Sequence, residues 1–309
     1  MITVIAGGTG SVKLVRGLYT ITRDLTVICN VADNMWFYGL YICPDVDTMI
    51  YGLAGLLDLR RGWGIKKDSF GFLERVEQLG EPAWFKLGDR DLATHLIRTN
   101  LLKNGKNLTE VTDWMRKKYS IHAKIVPATD SPVETKIITD GGEMHIQEYW
   151  VREKAKRAVS GIKYSGIECA RVNPRAIQAL KRSELIIIAP ANPITSIGPT
   201  LAMKSLKKNL SSEKTKIIAV SPIIGSNAVS GPAVKYMKAL NLKISPLGVA
   251  EYYSEFITKF VISKSDRNLT KPISKLGIKV YETDIIMKTR EDEERLASYI
   301  LKKAQSVRF

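Results

Sequence analysis

The chain opens on an apolar, β-branched run, Ile2-Thr-Val-Ile-Ala6, that breaks at Gly7-Gly-Thr-Gly10 and gives way to apolar positions at helical spacing, Leu14, Val15 and Leu18. This predicts strand, glycine turn and helix. A second buried strand, Leu25-Thr-Val-Ile-Cys-Asn30, ends in the polar turn Val31-Ala-Asp-Asn34, and Cys43-Pro-Asp-Val-Asp-Thr48 leads into a helical pattern at Met49, Leu53, Leu56 and Leu57. From about residue 60 the rhythm changes. Helical patterns follow at Phe72, Val76 and Leu79, then at Leu92, His95 and Leu96, with a third after the capping box Asn107-Leu-Thr-Glu110. Strands are predicted over 122–126, 135–138 and 144–151, the last two joined by the hairpin signal Asp140-Gly-Gly142. The alternation resumes at Asn173-Pro174 and runs through strands Leu185–Ala189, Lys216–Val220, Phe260–Ile262 and Ile278–Tyr281 to a terminal helix carrying Leu296, Ile300 and Leu301.

Continuous apolar strands alternating with amphipathic helices predict an α/β fold: a Rossmann-like, doubly wound, mostly parallel sheet. The expected organisation is a single nucleotide-binding domain over 1–309, with an inserted α+β subdomain over 60–165 helping to cover the cleft. At 309 residues, 45% hydrophobic and 25% charged, the chain is long enough for a sizeable core. No apolar run reaches the roughly 18 residues of a membrane span, so a cytoplasmic protein without a membrane partner is expected. Cys29, Cys43 and Cys169 are odd in number and lack C-x-x-C spacing, which excludes a disulfide framework and predicts reduced, buried thiols. The net charge of +16 would suit a polyanion, but the lysines and arginines are scattered over the polar faces of predicted helices. Without an aromatic-interleaved basic ribbon, no nucleic-acid partner is expected. A phosphorylated small substrate would suit the same field.

Four loops carry candidate chemistry, and each follows a predicted strand, so a parallel sheet brings all four to one edge. Gly7, Gly8, Thr9 and Gly10 allow backbone N–H groups to approach an anion at a helix N-terminus, although a tight βα turn would use the same residues. Asp45 and Asp47, followed by Thr48, are open to two readings: caps favoured by the helix dipole, or oxygen ligands for Mg²⁺ beside a phosphate loop. Lys86-Leu-Gly-Asp-Arg-Asp91 reads either as a charged surface turn or as a segment that turns Arg90 into the cleft to grip phosphate. The loops Pro190–Pro199 and Ser221–Pro232 are constrained by proline and glycine and offer polar groups. His95, His122 and His145 lack metal-ligand spacing and are expected in packed or surface positions. No Ser-His-Asp or nucleophilic-cysteine arrangement is present in the sequence.

Several ordered motifs extend over essentially the whole chain: the glycine loop with Lys13-Leu14, Asn30-x-Ala-Asp33, Cys43-Pro-Asp-Val-Asp-Thr48, Lys86-Leu-Gly-Asp-Arg-Asp-Leu-Ala-Thr-His95, Pro127-x-Thr-Asp-x-Pro132, Asn192-Pro-x-x-Ser-Ile-Gly-Pro199, Val220-Ser-Pro-Ile-Ile-Gly225 and Gly231-Pro-Ala233. Together they resemble the 2-phospho-L-lactate transferase family (CofD) of coenzyme F420 biosynthesis. The resemblance implies transfer of the 2-phospho-L-lactyl group, or an enolpyruvyl analogue in some lineages, from lactyl-2-diphospho-5′-guanosine to the deazaflavin alcohol Fo. Coenzyme F420-0 and GMP would be the products, with Mg²⁺ as cofactor. Apart from the resemblance, exposed apolar area in an enzyme of this size makes a homodimer the expected assembly. Matched motif by motif, Gly7 to Gly10 and Lys13 would face the diphosphate. Asn192, Ser196, Gly198, Ser221 and Gly225 would hold the guanosine side. Asp47 and Arg90 would be catalytic at the deazaflavin or its attacking hydroxyl, with Thr48, Lys86, Asp89 and Asp91 around them. Asp33, Asp45 and Asp47 would be the metal ligands. Trp36, Tyr41 and Trp63 are candidates for ring stacking. Three positions depart from the family pattern: Asn34 stands where a second acid is usual, Ser11 where glycine is common and Ala191 where serine is common.

A binding-protein alternative belongs to the same superfamily: a non-enzymatic regulator that holds a nucleotide sugar, which would need neither the Asp45/Asp47 pair nor the Lys86–His95 segment. Asp47→Ala is expected to abolish most turnover with the fold intact, and Arg90→Lys to be costly.

Overall fold

The computed structural model describes residues 1–229 and 231–305. Ser230, within the predicted Ser221–Pro232 loop, lies outside the described residues. The first half contains β1 (Ile2–Ala6), α1 (Gly8–Ile21), β2 (Leu25–Cys29), the hairpin β3 (Met35–Phe37) and β4 (Leu40–Ile42), then α2 (Pro44–Leu53), α3 (Gly71–Gln78), α4 (Asp89–Lys103), α5 (Leu108–Lys118) and β5 (Lys124–Pro127). Next come β6 (Glu134–Thr139), β7 (Gly142–His145) and β8 (Val159–Ser165), followed by α6 (Pro174–Arg182), β9 (Leu185–Ile188), α7 (Gly198–Ala202), α8 (Lys204–Ser212) and β10 (Ile217–Val220). The chain ends with the short hairpin β11 (Ile223–Ile224) and β12 (Asn227–Ala228), α9 (Ala233–Ala239), α10 (Pro246–Tyr253), β13 (Lys259–Ser263), α11 (Thr270–Ser274), β14 (Lys279–Thr283) and α12 (Arg290–Gln305).

Seven parallel strands form the central sheet in the order β14-β13-β10-β9-β1-β2-β5. The fold is the Rossmann-like α/β architecture that the strand pattern predicts. Strands β1, β2, β9, β10 and β13 are almost wholly buried, as continuous apolar runs in a sheet covered on both faces require. Helix starts follow the sequence signals: Asn107 and Glu110 complete a capping box at α5, and Asn173 caps α6 with Pro174 in its first turn. From β1 the chain winds outward through β2 to β5, returns to the other side at β9, and continues to β14. The reversal leaves a crevice beyond the C-terminal ends of β1 and β9, where doubly wound sheets bind ligands.

The 60–165 segment is not one contiguous insertion. Lys124–Pro127 pairs in parallel with Thr26–Cys29 and is the edge strand of the main sheet, because its apolar residues complete the core over α5. Two excursions therefore flank β5: the helical stretch before it, and the antiparallel sheet β7-β6-β8 after it. Residues 144–151 form only the end of β7 and then a π-helical turn, Glu148–Arg152. Cys29 and Cys43 are buried thiols as expected, whereas Cys169 is exposed. Among the described residues no helix is long and apolar enough to cross a membrane.

Candidate active site

A cavity of about 710 Å³ occupies the crevice. Its floor is built from the loops after β1, β2 and β9 together with the start of α2, and its walls come from the two excursions and from α9 with the residues just before it. Of the residues singled out in the sequence, Gly8, Thr9, Gly10, Asp33, Asp45, Asp47, Thr48, Lys86, Asp91, Asn192 and Ser196 line it.

The start of α1 lies directly beneath the loop after β9. The missing side chain at Gly10 is a packing requirement, since a Cβ there would lie 2.1 Å from the Pro190 carbonyl oxygen. Gly7 lies just under the lining: its N–H donates to Ser11 Oγ at 3.0 Å, and that hydroxyl donates back to the Gly7 carbonyl at 2.7 Å. Ser11 thus braces the turn from below. Asn192 Oδ1 accepts from the N–H groups of Ile194 and Thr195, fixing the π-helical turn Pro193–Ile197 that carries Ser196 into the cavity.

Asp45 caps nothing on its own helix. Its Oδ1 accepts the Gly8 N–H at 2.7 Å and its Oδ2 accepts from Asn30 Nδ2 at 3.0 Å, while the same amide nitrogen donates to Asp33 Oδ1 at 3.2 Å. Two carboxylates therefore converge on one amide, and among the described residues neither has a salt-bridge partner. Burial, reduced by the hydrogen bonds from Asn30 and Gly8, pushes Asp45 up to about 6. Burial and then the charge of Asp45 push Asp33 well above its usual range. Two close carboxyls whose charge is disfavoured by burial are balanced by a shared proton or by a cation. Mg²⁺ is commonly held by one or two carboxylates, waters and substrate phosphates, so Asp33 and Asp45 fit it.

Asp47 does not join them. Both of its oxygens are taken by the fork of Arg98, with Nη1 to Oδ2 at 3.0 Å and Nη2 to Oδ1 in a closer contact. Among the described residues no group of three or more acid, histidine or cysteine side chains has the arrangement to hold a metal ion. The expected three-acid set is not assembled, because a bidentate guanidinium occupies Asp47. Arg98 is 0% exposed; burial disfavours its charge, but Asp47 more than offsets this and raises its pKa.

The same helix carries the clamp onward. His95 Nδ1 lies 3.2 Å from Arg98 Nη1 and its Nε2 lies 3.2 Å from Asp91 Oδ1, which also accepts from Tyr51 Oη at 2.7 Å. Burial would raise Asp91, but the hydrogen bond and charge of His95, with Tyr51, hold it below its usual value. Arg98 and the role of His95 escaped the sequence reading. Their signal was the spacing Asp91, His95, Arg98, which falls on one helical face.

Other candidates lie outside the lining. Lys13 Nζ donates to the Met287 carbonyl at 2.9 Å, on the side of α1 facing the C-terminal segment. Asp89 accepts from Ser69 Oγ and the N–H groups of Gly71 and Phe72, tying the turn before α3 to α4. Arg90 is exposed, with its backbone N–H held by Asp68, and its side chain does not line the cavity. Gly198 is packed where a Cβ would meet Tyr164 Oη at 2.3 Å. Ser221 Oγ is spent on the Ile223 backbone and Gly225 N–H on Asp266, one strand away from the crevice. Asn34, at the position of the missing acid, turns its amide to Tyr41 Oη at 3.3 Å and does not face the cavity.

Part of the lining is aromatic. Trp63, Trp84, Phe85 and Trp150 form it, joined by Arg61, Lys86 and Lys154. The Arg61 guanidinium sits 4.9 Å from the Trp63 ring centroid. Trp36 and Tyr41 instead pack on each other at 5.0 Å outside the cavity, with Trp36 57% exposed.

The family model described as 2-phospho-L-lactate transferase CofD matches residues 2–302. The chain belongs to this family. Among its 2-phospho-L-lactate transferase relatives, that of Methanosarcina mazei is 40% identical over 300 residues, covering 96% of this chain and 98% of the other protein. The one from Methanocaldococcus jannaschii is 39% identical over 307 residues, covering 97% of each chain. Among solved structures, protein BH3568 of Bacillus halodurans, described as a member of the UPF0052 family, superposes with a TM-score of 0.66 at 14% identity. That alignment covers 97% of this chain and 98% of that protein, and it shows a shared fold. Membership of the 2-phospho-L-lactate transferase family makes this chain an enzyme that transfers a group between small molecules.

Proposed function

We propose that the chain transfers the 2-phospho-L-lactyl group, or its enolpyruvyl analogue, from lactyl-2-diphospho-5′-guanosine to Fo in coenzyme F420 biosynthesis. The observation that carries this reading is the mixed lining of the cleft. A glycine loop at a helix N-terminus and a pair of metal-suited carboxylates share one cavity with three tryptophans, and Gly62, next to Trp63, lies where a Cβ would be 3.0 Å from Thr9 Cγ2. A diphosphate suits the first set of groups and a flat deazaflavin the second.

In this reading Thr9 and Gly10 offer N–H groups to the diphosphate, the Gly8 N–H being engaged by Asp45, and Asn192 and Ser196 shape the wall beside it. Asp33 and Asp45 would hold Mg²⁺, which supplies charge neutralisation to the diphosphate when bound. Asp91, fixed by His95 and Tyr51, presents an acceptor that orients the ribityl hydroxyl, and the Asp47–Arg98 pair holds the helix that carries it. That oxygen bonds to the phosphorus bearing the lactyl group, the bond to GMP breaks in line, and the hydroxyl proton is released. Positioning and preorganised charge supply most of the rate.

Fo binding tests the acceptor assignment. Stacking on Trp63, Trp84 and Trp150 should quench the tryptophan emission on titration with Fo, and Trp84→Ala should weaken binding about tenfold, in line with base–aromatic stacking of 1–3 kcal/mol. No quenching, with the protein folded, would remove Fo as the acceptor.

A further inference from the structure

Tyr236, on α9, is 1% exposed and lines the cavity, yet its Oη has no hydrogen-bond partner among the described residues. The neighbouring phenol differs. Tyr149, whose ring lies 6.0 Å away at an interplanar angle of 54°, places its hydroxyl on the carbonyls of Ala155 and Arg157. A buried hydroxyl left unpaired costs roughly 1–3 kcal/mol, so its persistence in a binding cleft calls for a ligand that completes it. Burial first, then Tyr149 and the Asp33 carboxylate, push the Tyr236 phenol above its usual range, so it is a protonated donor at neutral pH. Its missing partner is an acceptor. Gly231 and Pro232, just before α9, line the same cavity, so the helix is seated against the cleft that holds the glycine loop and the Asp33/Asp45 pair.

We infer that Tyr236 Oη is a substrate-binding donor that hydrogen-bonds a phosphate oxygen of the nucleotide held between α9 and the glycine loop. The assignment rests on the proposed diphosphate-binding reading of this cleft. A phosphate oxygen matches the chemistry because it accepts only, carries charge, and tolerates a phenol beside two acids once a cation neutralises them.

The test compares Tyr236→Phe with the wild-type protein, using GDP with Mg²⁺ in isothermal titration calorimetry and thermal melting without ligand. Tyr253→Phe is the control: its hydroxyl is equally buried and unpaired, but it does not line the cavity. Tyr236→Phe should melt at or above the wild-type temperature, since it loses only an unsatisfied group, and should bind GDP about tenfold more weakly or worse. Tyr253→Phe should bind GDP like wild type. If the Phe variant fails to fold, Tyr236→Met removes the same hydroxyl and answers the same question. Wild-type GDP affinity in a folded Tyr236 variant would overturn the assignment alone. A wild-type protein that does not bind GDP would overturn the diphosphate reading and the assignment with it.

Discussion

Arg98 is the residue on which the site turns, because a fully buried guanidinium is tolerable only with its charge matched. Asp47 matches it with both oxygens. Removing one partner of a buried pair typically costs about 3–5 kcal/mol. Asp47→Ala should therefore lower the urea midpoint as well as abolish turnover, which revises the sequence-based expectation of an intact fold. Asp47→Asn, which preserves the shape, should lose most activity with a smaller loss of stability. Arg98→Lys should also lose activity, because a point charge cannot satisfy both carboxylate oxygens; unchanged turnover would detach this pair from the mechanism. The Asp45 carboxyl gives a pH signature of unusual sign. Its folded-state pKa is raised from 3.8 to about 6, so the folded chain binds this proton more tightly than the unfolded one. Stability of the ligand-free protein should fall as pH rises from about 4 to about 6, by about 3 kcal/mol from this group, and stay reduced above it. Asp33 adds in the same direction. Melting curves of Asp45→Asn should be flatter over that window; an identical pH profile would refute the shift.

Among the elements, α4 shows where sequence reading stops. Its buried face is polar, with Asp91, Thr94, His95, Arg98 and Thr99, while Leu96 is 59% exposed. A rule that turns apolar faces inward assigns this helix the wrong way round and so passes over Arg98, whereas Arg90 drew attention through its charged turn and the family motif. Hydrophobic periodicity marks burial only where burial is apolar; a buried polar network is visible in sequence only as spacing. The geometry of the glycine loop was legible because it is local, a strand end, glycines and a helix start. The loop after β10 carries a similar composition but folds back on its own backbone at Ser221. Composition alone did not separate the two. Gly10→Ala should force α1 away from Pro190, costing about 1–3 kcal/mol of stability and weakening GDP binding, as calorimetry and chemical melts can check. Unaltered stability would show that the two segments yield freely at this contact.

At the scale of the whole molecule, the strand order decides the site. The reversal between β1 and β9 brings the first loop of the chain against one some 180 residues later, and the two excursions around β5 close the cleft over them. Six of the seven strands of the parallel sheet were legible from their apolar runs. The division of the 60–165 segment was not, since a short edge strand reads the same inside an insertion as in a main sheet until its partner is known. The central claim is that one cleft brings diphosphate and deazaflavin together for transfer. Purified protein incubated with Fo, Mg²⁺ and lactyl-2-diphospho-5′-guanosine, followed by mass spectrometry, tests it directly. GMP and F420-0 should appear in equal amounts and together. GMP without the phosphorylated deazaflavin, or neither product from protein that binds both substrates, would contradict it.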